Sequence, residues 1–176
     1  MPHNLFLTGR PGVGKTTVIQ RVLRQLPPLR LSGFTTAEIR GPRGRLGFHA
    51  TALGGRQIVL AHVDLPSRYR VSRYGVDVAA FEQEIVPLLD SGRGDVDLFI
   101  VDEIGKMECF SAAFCTSVRR LLQDERPLLG TIALRGPAFI QEVRGRPDLD
   151  LLEVTPINRE ALPGEIATRL GHWLGR

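Results

Sequence analysis

A glycine-rich segment between two apolar stretches constrains the fold of this chain more than any other feature. Asn4–Thr8 is a short apolar run that predicts a buried strand, and the segment Gly9–Thr16 that follows reads Gly-Arg-Pro-Gly-Val-Gly-Lys-Thr. From Lys15 onward, apolar residues recur on one helical face until Pro27 and Pro28, which end the helix. The first thirty residues therefore predict a strand, a glycine-rich turn and an amphipathic helix.

The glycine-rich segment matches the phosphate-binding pattern GxxxxGK[ST], known as Walker A. Its glycines let backbone N–H groups approach phosphate oxygens without a Cβ in the way, and the helix that follows directs further N–H groups at the same anion. We expect Lys15 to contact the β- and γ-phosphates and the Thr16 hydroxyl to bind Mg²⁺. The residues assigned to phosphate binding are Gly9, Arg10, Pro11, Gly12, Val13, Gly14, Lys15, Thr16 and Thr17.

A second motif places two carboxylates at the end of an apolar strand. Leu98–Val101 is followed directly by Asp102 and Glu103, which fits the Walker B pattern. We expect Asp102 to bind Mg²⁺ together with Thr16, and Glu103 to orient or deprotonate the water that attacks the γ-phosphate. Acidic residues that merely complement a helix dipole are the alternative interpretation of the same pattern.

Lysine is scarce in this chain, and of its two lysines one lies in the first motif and the other closely follows the second. Of the 23 basic residues, only Lys15 and Lys106 are lysine. A chain that otherwise uses arginine is expected to keep lysine where a compact ammonium is needed. Lys106 is therefore predicted to neutralise charge on the transferring phosphoryl group, with an ion pair to Glu103 or Glu108 as the alternative. Gly105 predicts a turn over the phosphates. The nucleotide site is expected to include Asp102, Glu103, Ile104, Gly105 and Lys106.

The rest of the chain is expected to complete one α/β domain over residues 1–176. Extended segments from Leu29 to Arg40, over 46–52 and over Gln57–His62 are joined by glycine turns, which predicts an antiparallel extension of the sheet. Beyond them, strands alternate with amphipathic helices, which predicts a mostly parallel sheet with helices on both faces. The first predicted helix starts near Asp77, is broken by Pro87, and has an apolar stripe of Val78, Phe81, Ile85 and Leu88. The second has an apolar stripe of Phe110, Phe114, Val118, Leu121 and Leu122. The remaining predicted elements are strands Leu128–Ala133 and Asp150–Thr155 and helices over Pro137–Arg144 and from Leu162 to Leu174.

Composition argues against a membrane or secreted protein and against a zinc or disulfide site, and it gives only weak support to a nucleic-acid-binding protein. No apolar run reaches the ~18 residues of a membrane span, and Met1–Asn4 lacks the charged lead of a secretion signal, so a cytoplasmic protein without a membrane partner is expected. Cys109 and Cys115 fit no zinc or disulfide pattern, and the four histidines have no metal-binding spacing. The net charge is +4, but arginine raises the pI without implying a basic face, so a nucleic-acid partner is possible and not favoured.

Beyond Walker A, further segments carry a resemblance to a known family: Gly33–Arg40, Leu46–Phe48, Arg73–Glu82, Asp102–Glu108, Val154, Thr155, Asn158 and Arg159. On these residues the chain resembles the small P-loop nucleoside-triphosphatases of archaea, bacteria and animals, the cancer-related nucleoside-triphosphatase family. This resemblance implies a RecA-like core in which a further strand separates the two Walker strands. It also implies slow, Mg²⁺-dependent hydrolysis of ATP, GTP and other triphosphates to diphosphates, with little base selectivity. Carried over residue by residue, it assigns phosphate binding to Gly9–Thr16, the Walker B roles to Asp102 and Glu103, and a catalytic or phosphate-contacting role to Lys106.

Several roles stay open at the level of sequence. Thr131 is predicted either to contact the γ-phosphate or the attacking water, or to be an ordinary strand threonine. The arginine- and tyrosine-rich loop Ser67–Tyr74 would stack on a base or, as the favoured alternative, rest its tyrosines on the core. An arginine that stabilises the transition state is often required. The candidates for it are Arg68, Arg70, Arg73, Arg135 and Arg159.

Two other functions share the P-loop chemistry. A kinase would pass the γ-phosphate to a small acceptor under a lid, for which residues 56–76 are the candidate. A nucleotide-dependent switch would use slow hydrolysis as a timer for binding nucleic acid or protein. A glutamate directly after the Walker B aspartate favours water as the acceptor, so a triphosphatase is the preferred hypothesis. Nothing in the sequence predicts an oligomeric state.

Overall fold

The computed structural model describes residues 3–175; Met1, Pro2 and Arg176 lie outside the described residues, and with them part of the N-terminal segment considered above. No helix in the described part is long and apolar enough to cross a membrane. The strands are β1 Asn4–Thr8, β2 Leu31–Gly41, β3 Gly44–Ala52, β4 Gln57–His62, β5 Arg70–Val71, β6 Tyr74–Val76, β7 Leu98–Ile104, β8 Leu128–Ile132 and β9 Leu149–Glu153. The α-helices are α1 Lys15–Gln25, α2 Val78–Glu84, α3 Ala112–Leu121, α4 Ala138–Arg144 and α5 Leu162–Trp173.

The strands form one mixed sheet with the order β5-β6-β4-β3-β2-β7-β8-β1-β9. Strands β2, β7, β8, β1 and β9 run parallel to one another, while β3, β4, β6 and β5 extend the sheet in antiparallel fashion. β8 lies between β1 and β7, which carry the two Walker motifs. The mixed sheet, its antiparallel extension and the strand between the Walker strands are therefore as predicted.

Helices cover both faces of the sheet because the central strands are apolar on both sides. In β1, Leu5 and Leu7 pack with the apolar faces of α1 and α5, whereas Phe6 faces the opposite layer. On that side, strand residues such as Phe34 pack with α2, α3 and α4, which contribute Phe81, Phe114 and Phe139. Strands buried on both faces give continuous apolar runs, and for this reason β1 and the start of β7 were recognisable in the sequence.

The helix from Asp77 is interrupted around Pro87, as predicted, whereas the next helix begins later than predicted. The stripe that begins at Val78 is helical only to Glu84, and a 3₁₀ turn over Val86–Leu89 follows, because Pro87 has no N–H to continue the α-helix. The assignment of Phe110 to the next helix is wrong. Phe110 ends a separate 3₁₀ turn and its side chain is 37% exposed. Ser111 then caps α3, its Oγ accepting from the Phe114 N–H at 3.0 Å.

Candidate active site

The P-loop lies between the carboxyl end of β1 and the first turn of α1. Gly9 has φ 147°, and a Cβ there would lie 2.8 Å from the carbonyl oxygen of Val154 on the neighbouring segment. Gly14, with φ 108°, precedes α1 and no side chain caps this helix. The N–H groups of the first helical turn therefore remain available to an anion, and the glycines allow the backbone to approach it closely.

The side chain of Lys15 folds across the mouth of this loop. Its Nζ donates to the carbonyl oxygen of Gly9 at 3.0 Å and to that of Arg10 at 3.4 Å. The loop itself is tightened by the bond from the Val13 N–H to the same Arg10 carbonyl, at 3.2 Å. The ammonium is thus held over the loop, beside the free N–H groups, where it can contact a bound phosphate chain.

Asp102 joins four elements of the structure through its buried carboxylate. The Thr16 hydroxyl donates to Oδ2 at 2.8 Å, and the Thr131 hydroxyl donates to Oδ1 at 2.6 Å. The backbone N–H of Thr36 on β2 approaches Oδ2 at 3.5 Å. Asp102 is 1% exposed. The structure therefore brings together the two residues predicted to bind Mg²⁺, Thr16 and Asp102, and uses Thr131 to orient the carboxylate.

The electrostatic environment of Asp102 suits a divalent cation. Burial raises the pKa of Asp102, while the hydrogen bonds from Thr131 and Thr16 and the charge of Lys15 lower it in part. No described arginine, lysine or histidine forms an ion pair with this carboxylate. Mg²⁺ is typically held by one or two protein oxygens together with water and phosphate oxygens. The Thr16 hydroxyl and the Asp102 carboxylate supply oxygens that fit that requirement. A site built from protein side chains alone is absent, since no group of three or more acidic, His or Cys side chains suited to a metal occurs among residues 3–175.

Two further carboxylates, those of Glu103 and Glu108, meet at Gly105. A Cβ on Gly105 would lie 2.7 Å from Glu103 Oε1 and 2.8 Å from Glu108 Oε2, so only glycine leaves room for both. The Gly105 N–H donates to Glu108 Oε2 at 3.1 Å. Burial raises the pKa of Glu103, and the neighbouring Asp102 raises it further. A carboxylate with a raised pKa is better suited to accept a proton near neutral pH than an ordinary one.

Lys106 follows this turn and is exposed. In the described structure it forms neither a hydrogen bond nor an ion pair, so the pairing with Glu103 or Glu108 considered above does not occur. Its Cγ lies 3.4 Å from the position that a Cβ on Gly136 would take. The stem of Lys106 therefore lies beside the loop after β8, and its ammonium has no partner among the described residues.

The candidate arginines do not converge on the carboxylates. Arg159 lies beside the P-loop, with Nη1 3.4 Å from the Val13 carbonyl oxygen. Arg135 is exposed. Arg68 stacks on Tyr69, with its Cζ 4.8 Å from the ring centroid, and Arg73 donates to a backbone carbonyl oxygen. No arginine of the described chain forms a hydrogen bond with Asp102 or Glu103.

The tyrosines of the loop Ser67–Tyr74 rest on the protein, as the favoured alternative predicted. Tyr74 is 8% exposed and packs edge-on against Phe48, with ring centroids 5.5 Å apart. The Tyr69 ring lies 5.3 Å from that of Phe110. Part of this loop forms the short β5–β6 hairpin at the end of the sheet.

Sequence reasoning missed three contributors to the site. Glu108 was considered only as a surface partner of Lys106, yet it is 4% exposed and lies beside Glu103. Thr36 contributes a backbone group, which no side-chain pattern can indicate. Arg144, at the end of α4, donates from Nη1 to Thr8 Oγ1 at 2.8 Å and so supports the strand end that carries the P-loop. Of these, only Glu108 had a signal in the sequence, because it follows the distinctive turn at Gly105.

Comparison with known proteins places this geometry in a family. The model of the NTPase family matches residues 4–167. The nucleoside-triphosphatase THEP1 of Thermotoga maritima is 39% identical over 166 residues, which are 94% of this chain and 94% of the relative. The cancer-related nucleoside-triphosphatase of Homo sapiens is 38% identical over 184 residues, covering 96% of each chain.

Solved structures agree with these matches. The crystal structure of THEP1 from Aquifex aeolicus superposes with a TM-score of 0.86 at 33% identity and covers 95% of this chain and 98% of its own. The solution structure of a human cancer-related nucleoside triphosphatase gives a TM-score of 0.77 at 36% identity, covering 98% of each. These similarities extend over nearly the whole chain, as do the motifs in its sequence, and the chain belongs to the NTPase family.

Proposed function

We propose that this chain hydrolyses ATP, GTP and other nucleoside triphosphates to the diphosphate and phosphate, with Mg²⁺ and little selectivity for the base. The observation that carries the proposal is the contact between the two Walker motifs, in which the Thr16 hydroxyl donates to the Asp102 carboxylate at 2.8 Å. This contact puts a P-loop, a buried aspartate and a second carboxylate with a raised pKa at one end of the sheet. The names of the relatives support the same activity.

Phosphate binding is assigned to the backbone of Gly9–Thr16 and to Lys15. The N–H groups of the loop and of the first turn of α1 hold the phosphate chain, and the Lys15 ammonium moves from the Gly9 carbonyl onto the β- and γ-phosphate oxygens. Thr16 and Asp102 would hold Mg²⁺, which when bound neutralises charge on the phosphates. Thr131 keeps Asp102 oriented throughout, since its hydroxyl donates to the carboxylate oxygen that Thr16 leaves free.

Glu103 is assigned the proton that the attacking water must lose. Water oxygen forms a bond to the γ-phosphorus, the bond from that phosphorus to the bridging oxygen breaks, and the diphosphate leaves with the electron pair. The proton of the water passes to the Glu103 carboxylate, whose pKa is raised by burial. Lys106 has no competing partner among the described residues and neutralises charge that develops on the phosphoryl oxygens.

The test is phosphate release from ATP, GTP, CTP and UTP in the presence of Mg²⁺, with identification of every product. Wild type is expected to give diphosphate and free phosphate without an added acceptor, at similar rates for the four bases. Lys15→Ala and Glu103→Gln are each expected to lower the rate at least about 100-fold, as losses of single charged catalytic groups typically do. Glu125→Gln, on an exposed loop, is the matched control and should retain the wild-type rate.

The same assay decides between hydrolysis and the two other functions. Normal hydrolysis by Glu103→Gln would contradict the role of this residue as the base. Phosphate transfer only to an added nucleoside would establish a kinase, and release only with added polynucleotide would establish a switch. Omission of Mg²⁺, and its replacement by Ca²⁺ or Mn²⁺, tests the choice of metal. A cytoplasmic location stays a prediction, and fractionation of cells that express the tagged chain tests it.

A further inference from the structure

A cavity of about 570 Å³ is lined in part by Lys106, which follows the Glu103 turn of the candidate active site. It opens between the β5–β6 hairpin and the loop after β8. Its lining residues are Arg70, Val71, Ser72, Lys106, Phe110, Gly136 and Pro137. None of residues 9–17 lines it, and neither does Asp102 or Glu103. Lys106 belongs both to this cavity and to the turn that follows Glu103, so the cavity adjoins the nucleotide site without being part of it.

The charge of this cavity favours an anion. Arg70 and Lys106 line it, and no carboxylate does. Neither cation forms an ion pair with a residue of the described chain, and the hydrogen bond from Arg70 Nη2 to the Arg73 carbonyl oxygen, at 2.8 Å, orients its guanidinium without neutralising it. This differs from much of the surface, where arginines such as Arg119 pair with carboxylates at 2.7 Å. Two cations without an ion-pair partner that line one cavity are suited to charge-assisted hydrogen bonds with a phosphate group.

The remaining lining favours a planar group. Phe110 is one of the few large apolar side chains that the described structure leaves exposed, at 37%. Tyr69 packs against one part of its ring, with centroids 5.3 Å apart, and so fixes the ring orientation. Val71 and Pro137 add apolar surface to the same cavity. An oriented aromatic ring beside apolar side chains provides a stacking surface for an aromatic base.

We propose that this cavity is a second ligand site, which binds a small phosphorylated molecule with a planar ring, of the class of a nucleoside monophosphate. The phosphate contacts Arg70 and Lys106, and the ring stacks on Phe110. A volume of about 570 Å³ is within the range of sites that hold ligands of this size. Among the lining residues, Lys106 is the one that also belongs to the turn after Glu103. Binding at this site does not require that the P-loop nucleotide be hydrolysed.

The test is a calorimetric titration of AMP into the full chain saturated with Mg²⁺ and the non-hydrolysable ATP analogue AMP-PNP, which occupies the P-loop. AMP is expected to bind with a stoichiometry of one molecule per chain, in addition to the bound AMP-PNP. It should bind more tightly than adenosine or inorganic phosphate alone, because adenosine lacks the phosphate contacts and inorganic phosphate lacks the ring contacts. Arg70→Ala and Phe110→Ala are each expected to weaken AMP about tenfold, the typical effect of losing a charge-assisted hydrogen bond or a stacked base. Arg43→Ala, an exposed arginine outside the cavity, is the matched control and should bind as wild type does.

Three results would overturn the proposal: no AMP binding once AMP-PNP is present, displacement of AMP-PNP by AMP, or binding that neither Arg70→Ala nor Phe110→Ala weakens. Phe110→Leu, which keeps the apolar volume and removes the aromatic face, replaces Phe110→Ala if the latter does not fold. Binding of adenosine as tight as that of AMP would contradict the phosphate contact. Failure of the triphosphatase proposal would appear separately, as absent phosphate release in the assay described above.

Discussion

The two ends of the parallel strands can be compared through their carboxylates. At the amino ends of β7, β8 and β9, an aspartate one to four residues before each strand pairs with an arginine. The partner atoms are 2.7 Å apart in Arg30–Asp97, 2.7 Å in Arg126–Asp124 and 2.6 Å in Arg146–Asp148. In the middle pair, the hydrogen bond from the guanidinium lowers the pKa of Asp124. The negative charge at this end is compensated inside the chain.

At the carboxyl end, Asp102, Glu103 and Glu108 are more deeply buried and none of them pairs with a described basic residue. Burial raises the pKa of each, and that of Glu108 is raised well above its usual range. A buried charge without a partner destabilises a fold, so this arrangement is costly unless something else supplies the positive charge. At the amino end, then, arginines of the chain itself neutralise the carboxylates of these pairs. The other end leaves negative charge that the proposed Mg²⁺ would compensate.

Among these substitutions, the largest effect is expected from one that removes the hydrogen bond orienting Asp102 at the carboxyl end of the strands. Thr131→Val removes the hydroxyl that donates to Asp102 Oδ1 at 2.6 Å and keeps the shape of the side chain. A hydrogen bond to a charged group is worth about 1.5–3 kcal/mol, so phosphate release should fall about 10- to 100-fold and half-saturation should require more Mg²⁺. Kinetics at varied Mg²⁺ measure both. Thr131→Ser keeps the donor and should restore most of the rate. Unchanged kinetics in Thr131→Val would mean that Thr131 only fills space.

The next largest effect is expected at the amino end, from loss of the arginine that neutralises Asp124. Arg126 donates to Asp124 and to the backbone carbonyl oxygens of Ser91 and Arg93, and its guanidinium lies 4.8 Å from the centroid of the Phe99 ring. Arg126→Ala should lower the free energy of unfolding by about 2–3 kcal/mol, because several of these bonds are lost together. Urea denaturation measures the loss. The kcat of the folded variant should be unchanged, and a large fall in kcat would show that the two ends are coupled.

Glu108→Gln sharpens the comparison by removing a buried charge at the carboxyl end. The folded chain raises the pKa of Glu108, so its stabilising contribution is fully present below the unfolded value of about 4.3 and is lost as the pH rises through the higher folded value. Glutamine keeps an acceptor for the Gly105 N–H and does not titrate. The variant should match wild type in stability near pH 4 and exceed it by on the order of 1–2 kcal/mol near pH 8. Denaturation at both pH values tests this, and equal stability at pH 8 would contradict it.

The smallest effect is expected for Asp124, whose contribution to stability depends on pH in the direction opposite to that of Glu108. The pKa of Asp124 is lowered by Arg126, so its contribution is present above the unfolded value of about 3.9 and is lost as the pH falls through the lower folded value. Asp124→Asn should therefore cost on the order of 1 kcal/mol at pH 7, since the pair is partly exposed, and progressively less as the pH falls through the folded value. Urea denaturation across pH 2–7 measures it. Asp95→Asn, whose carboxylate side chain is 72% exposed, is the control and should show almost no effect.

Local patterns were sufficient wherever chemistry and secondary structure coincide along the chain. The run Asn4–Thr8, the glycines and Lys15 predicted the strand, loop and helix with the observed start of each. The apolar run before Asp102 predicted β7, although the strand continues to Ile104. Phe110 was assigned to α3 because it precedes the helix at the spacing of its apolar stripe. Only the capping hydrogen bond of Ser111 shows that the helix begins after Phe110.

The sequence by itself determined the class of this protein, because the P-loop requires particular residues at adjacent positions and a contiguous motif keeps its meaning whatever surrounds it. Tertiary structure alone decided the roles of residues far apart in the chain. It placed Thr131 on Asp102, 29 positions away, and Arg144 on Thr8, 136 positions away. It also buried Glu108 beside Glu103 and left Lys106 and Arg70 to line one cavity. Such contacts depend on strand order and on which side chains lose water, and neither is recorded in local spacing.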